Sequence, residues 1–540
     1  MLLLLKAMDA TCIDYQETGY FSKTVIDYLD DVPELQSFYS YRPDLNGFAG
    51  LLENKKVTAN RQLLAQVLTE QYSKPGNPEL PYLSTVQANI DLLQQDNAYT
   101  ITTGHQLNVF TGPLYFLYKI VTAIKLCRQL EEAFPDKKFV PVYWMASEDH
   151  DFAEINYTNI GHKKIQWNEQ VSGATGRLNI KTFRECLNQY KGVLGLDGHA
   201  ADLAAIVETA YGQHQTLADA MRYLVNALFG QYGLVIIDAD DARLKQEFAG
   251  IIKQDIIEQN SFKHITQSNT LLQSLGVHTQ VNPREINFFY LQDNLRERLV
   301  QQGDQYHVLN TEIRFSREEL EQEIDTHPER FSPNVVMRPM YQEYILPNLA
   351  YIGGGAEIVY WLQLKANFDH YGVTFPILIL RNSGLVIRKE TTAKVQKMGL
   401  PAAQLFNDTD TIKNNWVKEH TQHDLSLKEE WRELQCIFEK LKLRAHKIDP
   451  TLGPSTNAVQ ARLKHAIDNL ETKLVKAEKR NYETRLQQIE AIKQEIFPKN
   501  SLQERSENFG LLYVKWGQFF IDELIRSFEP LDFKFTVLSE

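Results

Sequence analysis

The chain has 540 residues, 43% hydrophobic and 11% aromatic, which are globular values in a sequence too long for one ordinary domain. A net charge of −12 argues against generic nucleic-acid binding, because phosphate-neutralising proteins carry an excess of Lys and Arg. Cys12, Cys127, Cys186 and Cys436 form no CxxC pair, which points away from a disulfide framework or zinc knuckle and toward a reducing cytoplasm.

Met1 to Leu5 is apolar, but Lys6 and Asp9 interrupt it, and no run approaches a membrane span; an opening strand or helix is expected. Residues 1–97 read as mainly helical. Leu63, Leu64, Val67 and Leu68, then Leu83, Val86, Ile90 and Leu93, are spaced for one buried face, with the breaker SKPGNPELP between them.

Residues 98–156 read as strand, turn, helix, strand. Tyr99 to Thr102 is β-rich, Gly104, Gly112 and Pro113 punctuate a loop, and Pro113 suits the first helical position. Leu117, Ile120, Val121, Ile124 and Leu126 then mark a helix, and Phe139 to Met145 a second buried strand. Such a βαβ unit implies a parallel sheet, with ligands beyond the carboxyl ends of its strands. Those ends carry Thr103, Gly104, His105 and Gln106, and Ser147, Glu148, Asp149, His150 and Asp151.

Residues 157–180 suggest a hairpin insertion and 199–231 a return to helix. Gly233 to Asp238 is a third buried strand, and Asp238, Asp240 and Asp241 after it read first as helix capping. Residues 279–315 alternate as a β-rich insertion ending at a Ser316/Glu319 capping box. Leu349 to Ile352 is expected as a strand, Gly353, Gly354 and Gly355 as a turn permitting close approach to a bound group, Ala356 to His370 as a helix, and Phe375 to Leu380 as the last strand. Leu427, Trp431, Leu434, Phe438, Leu441, Ala445 and Ile448 form a heptad seam. After a break at Asp449 to Pro454, Ser455 can cap a second helix reaching about Phe497, with a stutter near Asn481 and Tyr482. Phe509 to Phe528 is apolar enough to pack back on the body.

The motifs TGHQ and GPLYFLYK after the first strand, WMASEDHDFAEIN after the second, and the later YIGGGAE resemble the bacillithiol-synthesis cysteine-adding enzymes, a family of cysteine ligases. The resemblance spans the chain. It implies an α/β fold: a Rossmann-like parallel-sheet core related to class I aminoacyl-tRNA synthetases, with inserted connecting domains and a C-terminal antiparallel coiled coil. The expected divisions are 1–156 and 232–278 as core, 157–231 and 279–330 as insertions, 331–423 as the second core half, 424–498 as the coiled-coil hairpin, and 499–540 as a segment on the body. It also implies condensation of cysteine with glucosaminyl malate by amide formation, and a homodimer through the coiled coil.

The candidate catalytic group is Glu148, Asp149, His150 and Asp151, since three carboxylates around an imidazole are costly to gather without a cation, amine or metal to bind. No metal is assigned. Candidates for substrate or nucleotide contact are Thr103, Gly104, His105, Gln106, Gly112, Tyr115, Lys119, Asn156, Gly353, Gly354, Gly355, Glu357, Arg381 and Ser383. His105 falls where a class I synthetase places the first histidine of its signature, Lys119 could neutralise an anion, and the Arg381 fork matches carboxylate or phosphate. The HIGH pattern is incomplete, and RKETTAK from Arg388 to Lys394 does not match a KMSKS loop, so ATP is expected by analogy. Two other readings are a nucleotidyltransferase that stops at an activated intermediate and a non-enzymatic nucleotide-binding coiled-coil dimer.

Overall fold

The computed structural model describes residues 8–540; the expectation for Met1 to Leu5 lies outside them. Two compact units divide the chain, one comprising the residues up to Gln16, Tyr20–Leu385 and Ser501–Leu538, the other mainly Val386–Asn500.

In the first unit, β1 (Asp9–Asp14) precedes a helical stretch, and β2 (Ala98–His105), the helix Tyr115–Ala133 and β3 (Lys138–Met145) form the expected βαβ unit. β4 (Tyr157–Ile160) and β5 (Lys163–Gln166) make the small hairpin, β6 (Val235–Asp238) follows the helices, and β7 to β10 (Phe288–Gln292, Leu295–Gln302, Gln305–Val308, Arg314–Phe315) with β11 (Phe331–Pro333) make a second, antiparallel sheet. The core closes with β12 (Asn348–Gly353), the helix Gly355–Leu362 and β13 (Ile377–Leu380).

The central sheet runs β13-β12-β2-β3-β6 with every pair parallel. From β2 the chain moves outward one way through β3 and β6, then returns to the other side of β2 for β12 and β13. The order therefore reverses between β2 and β12, and a crevice at that reversal is where open α/β sheets bind ligands. β2, β12 and β13 are almost wholly buried, which is why none shows a polar/apolar alternation, and the threonines of β2 are buried with hydrogen-bond partners. Ile101, Leu126, Leu130, Phe139, Ile352 and Ile377 belong to the cluster packed around them.

Three local expectations shift. The first helix starts at Tyr115 instead of Pro113, and the Leu114 N–H just before it is satisfied by the Glu507 carbonyl at 2.8 Å. The span Ala356 to His370 breaks into Gly355–Leu362 and Lys365–Tyr371; between them the buried Gln363 accepts from the backbone N–H groups of Gln280 and Val281. Strand β2 continues to His105, so Thr103 and Gly104 are strand residues. Asp241 caps Ala242–Glu258 by accepting from Arg243 and Leu244, the capping role read from the sequence, and Ser316 with Glu319 forms the capping box. The helix Phe519–Ser527 packs on Tyr115–Ala133, with Tyr118 edge-on to Phe528 at 5.1 Å.

The second unit holds helices Lys389–Met398, Thr409–His420, Lys428–Ile448, Leu452–Asn481 and Glu483–Ile496. The third and fourth form an antiparallel hairpin: Lys464 lies 5.6 Å over the Trp431 ring and the Leu427 N–H reaches Glu471. The second hairpin helix begins at Leu452, not at a Ser455 cap, because Pro454 in its first turn lacks only an N–H that has no intrahelical acceptor. The stutter is a helix break at Tyr482, whose hydroxyl donates to the His420 carbonyl. Leu486, Ile489, Ile492 and Ile496 are buried on Lys389–Met398 and Thr409–His420, so this distal half needs neither Phe509 to Phe520 nor a second chain to cover it.

Candidate active site

A cavity of about 860 Å³ opens at the carboxyl ends of β2, β3 and β12. Its floor is the β2/β12 reversal. Lys119, on the helix after β2, donates to the Gly104 carbonyl at 2.9 Å and pairs with Glu357 at 2.5 Å. Glu357 lies in the first turn of Gly355–Leu362 and also accepts from the Gly354 N–H at 2.8 Å and the Tyr351 hydroxyl at 2.7 Å. Burial opposes its charge, but Lys119 and these donors hold its carboxyl below the usual range, while burial pulls the Lys119 ammonium down. One ion pair thus ties the end of β2 to the glycine turn after β12.

Beside it, Arg381 at the end of β13 pairs with the fully buried Glu504 at 2.7 Å and donates to Ser383 Oγ at 3.0 Å; its guanidinium lies 5.4 Å from the Tyr115 ring. A Cβ at Gly354 would stand 3.4 Å from Glu357 and 3.8 Å from Arg381, ordinary contact distances that place this turn directly against both side chains.

His105 sits edge-on to Tyr115 and has no described hydrogen-bond partner at Nε2. Burial, with Lys119 and Arg381 nearby, pushes its pKa down to about 3. It is a neutral imidazole at pH 7. The unfolded chain takes up this proton near pH 6.5 and the folded chain only near 3, so stability present above 6.5 is lost as pH falls through that interval. Between pH 7 and 5 the loss is about 2 kcal/mol. His105→Gln is expected to remove that much of the acid sensitivity, measured by urea unfolding at both pH values. An unchanged pH response in the variant would contradict a neutral His105 with a buried Nε2.

The end of β3 does not gather its acidic residues around one imidazole. Glu148 turns to the fully buried Lys245, 2.8 Å away, because an ammonium in the interior needs a counter-charge. Asp149 accepts from Gln106 at 2.7 Å and from the His150 N–H at 2.8 Å. His150 Nδ1 meets Arg296 of β8 at 2.6 Å, and burial with Arg296 lowers the His150 pKa. Asp151 is exposed and outside the cavity lining. Among the described residues no group of three His, Cys, Asp or Glu is placed to hold a metal ion.

Of the residues marked from the sequence, Gly104, His105, Gln106, Tyr115, Lys119, Glu148, Asp149, His150, Gly354, Gly355, Glu357 and Arg381 line this one cavity. Thr103, Gly112, Asn156, Gly353 and Ser383 lie outside the lining. The Thr103 hydroxyl donates to the Ile352 carbonyl, Gly112 holds φ +64° where a Cβ would strike Asn108, and Ser383 supports Arg381. Sequence reading missed Arg284, Arg296, Arg298, Arg338 and Arg505, which line the cavity from other parts of the chain. Seven cations thus face three carboxylates, Glu148, Asp149 and Glu357, in a chain whose overall charge is −12.

Residues 8–382 match the family described as "Bacillithiol biosynthesis BshC, N-terminal Rossmann-like domain", and residues 384–540 its C-terminal coiled-coil domain. A protein of Flavobacterium psychrophilum is 44% identical over 98% of this chain and 99% of its own length, and one of Flavobacterium johnsoniae 42% identical over 98% and 100%. One from Bacillus mycoides is 27% identical over 95% and 97%; all three carry the name "Putative cysteine ligase BshC". A solved structure described as a "putative arginyl t-RNA synthetase" from Campylobacter jejuni aligns at 12% identity over 86% of this chain and 95% of that one, with a TM-score of 0.21, which carries no argument. The two full-length halves of the match and these relatives place the chain in the bacillithiol biosynthesis BshC family.

Proposed function

We propose that this protein is a ligase that joins the carboxyl group of cysteine to the amine of glucosaminyl malate, the last step of bacillithiol synthesis, after activation of that carboxyl by ATP. The observation that carries the reading is the cationic cavity at the β2/β12 reversal, seven cations against three carboxylates, in an acidic chain whose relatives are named for cysteine ligation. A carboxylate is a poor electrophile at neutral pH, so amide formation needs a leaving group, and every participant carries anionic oxygens. ATP supplies the leaving group. Arg338 and Arg505, which form no described carboxylate ion pair, supply positive charge for a polyphosphate in the same lining, while the Gly354 N–H itself is taken by Glu357. Fixed cations in a partly enclosed cleft orient the reactants and stabilise developing charge.

At the opposite wall, Asp149 is the carboxylate with neither a lysine partner nor full exposure, and Gln106 fixes its orientation. In this reading Asp149 receives the ammonium of the incoming amine and takes its proton. Purified protein given cysteine, glucosaminyl malate and ATP is expected to yield the thiol product, and Asp149→Asn to lose it while keeping its circular dichroism. Pyrophosphate exchange without thiol product would instead mark a nucleotidyltransferase, and binding without either reaction a non-catalytic role. The site is small-molecule in scale, and no described helix is long and apolar enough to cross a membrane.

We further propose a homodimer through the hairpin. Ile437, Leu441 and Ile448 fall on one stripe of the first hairpin helix, and Leu452, Val459 and Leu470 on one stripe of the second; all six are exposed in the single chain. Phe438 is buried and unsuited to a test, since its loss would damage the hairpin itself. Ile437→Glu with Leu441→Glu is expected to give monomers by sedimentation equilibrium, with the first unit's calorimetric transition unchanged. A wild-type monomer at micromolar concentration would sink the idea.

A further inference from the structure

Arg338 differs from the cavity cations that have a fixed carboxylate partner. Lys119 has Glu357, Arg381 has Glu504, and Arg296 has Asp149 at 3.8 Å, whereas no carboxylate ion pair is formed by Arg338 among the described residues. Its guanidinium lies 5.7 Å from the Trp144 ring and 5.6 Å from the Tyr351 ring, and its Nη2 is buried with no described hydrogen-bond partner. A guanidinium N–H without an acceptor is costly once out of water. The place is the β2/β12 reversal itself, because a Cβ at Gly104 would stand 3.7 Å from Arg338 Nη1 and 3.5 Å from the Tyr351 hydroxyl.

The side chain is held from behind. Arg338 Nη1 donates to Gln342 Oε1 at 2.9 Å, and Gln342 Nε2 donates to Glu343 Oε1 at 2.8 Å. Asn348 Nδ2 donates to the same Glu343 oxygen at 2.7 Å, and Thr100 and Thr102 donate to Asn348 Oδ1 at 3.0 and 2.8 Å. All of these except Arg338 are buried. Glu343 thereby fixes which end of the Gln342 amide is oxygen, and that oxygen takes one edge of the guanidinium. On the other edge the Tyr360 hydroxyl, also in the cavity lining, hydrogen-bonds to the same side chain, and the buried Nη2 keeps no described partner and is left for the cavity. A core that needed only a packed side chain here would not require a five-residue polar chain behind it.

Building on the ligase reading, we propose that Arg338 is the specificity-determining contact for one substrate oxyanion, a carboxylate or phosphate seated over the β2/β12 crevice, and that Gln342 and Glu343 are its positioning residues. The bidentate fork suits either anion. The substrate that supplies it is identified by which constant moves.

The test compares wild type, Arg338→Met, Arg338→Lys and Gln342→Leu, first by calorimetric titration with glucosaminyl malate, cysteine and ATP separately, then by KM and kcat for each. Arg338→Met is expected to weaken one of the three at least 30-fold and the other two less than 3-fold. Loss of glucosaminyl malate or cysteine assigns a carboxylate, and loss of ATP a phosphate. Arg338→Lys, which keeps the charge without the fork, is expected to fall between, and Gln342→Leu to weaken the same substrate about 5-fold with kcat little changed. Equal constants for folded Arg338→Met and wild type overturn the proposal, as does an equal loss for all three. Should Arg338→Met not fold, Arg338→Lys with wild-type constants overturns it alone. Wild type that binds the three without turnover would sink the ligase reading while the binding arms still decide Arg338; wild type that binds none overturns the site.

Discussion

Lys119→Met is expected to lower turnover at least 100-fold and to destabilise the first unit by about 3 kcal/mol, because it leaves Glu357 charged in a cavity floor without its counter-ion. The Lys119 side chain is 5% exposed and that of Glu357 25%, so water reaches the carboxylate from the cavity but replaces the 2.5 Å contact only in part. Removing one partner of a buried pair costs more than removing both. Lys119→Met with Glu357→Gln is therefore expected to regain most of the stability, read by calorimetry, and none of the activity, since the cation and the set of the glycine turn are both gone. A single variant with wild-type stability would mean that the pair is solvated. A double variant with wild-type turnover would remove it from the chemistry.

Glu504→Gln is expected to cost about 3 kcal/mol, at a position some 120 residues from its partner in sequence. Glu504 is fully buried; it holds Arg381 at 2.7 Å through one oxygen and the Gly384 N–H at 2.9 Å through the other. The amide keeps one acceptor but cannot neutralise the guanidinium. The damage should reach the cavity as well, raising the KM of an anionic substrate, because Arg381 closes the corner beside Gly354. Arg381→Met with Glu504→Leu is expected to restore the calorimetric transition without restoring KM. Equal losses of stability in the single and double variants would show that packing, not charge, is what this position supplies.

The sequence by itself determined the βαβ unit, the acidic helix cap at Asp241, the capping box at Ser316 and the paired C-terminal helices, because each rests on interactions within a few residues or on a repeating apolar spacing. It also marked the two polar strand ends and the glycine turn, since parallel strands present their ligand at that edge. It could not say which charges are available to a substrate. Glu148 and Asp149 are neighbours in sequence, yet one turns to Lys245 on a distant helix and the other toward Gln106. The Gly355–Leu362 helix likewise halts at Gln363, whose buried side chain accepts from the distant backbone of Gln280 and Val281. Arg296, Arg338 and Arg505 reach one cavity from a β-sheet, a helix start and the C-terminal segment, with no shared motif to announce them. An isolated arginine in sequence reads as solvated surface. Only the tertiary structure, by half-burying it beside Trp144 and Tyr351 and leaving its buried Nη2 without a described acceptor, singles out Arg338 as the binding group proposed above.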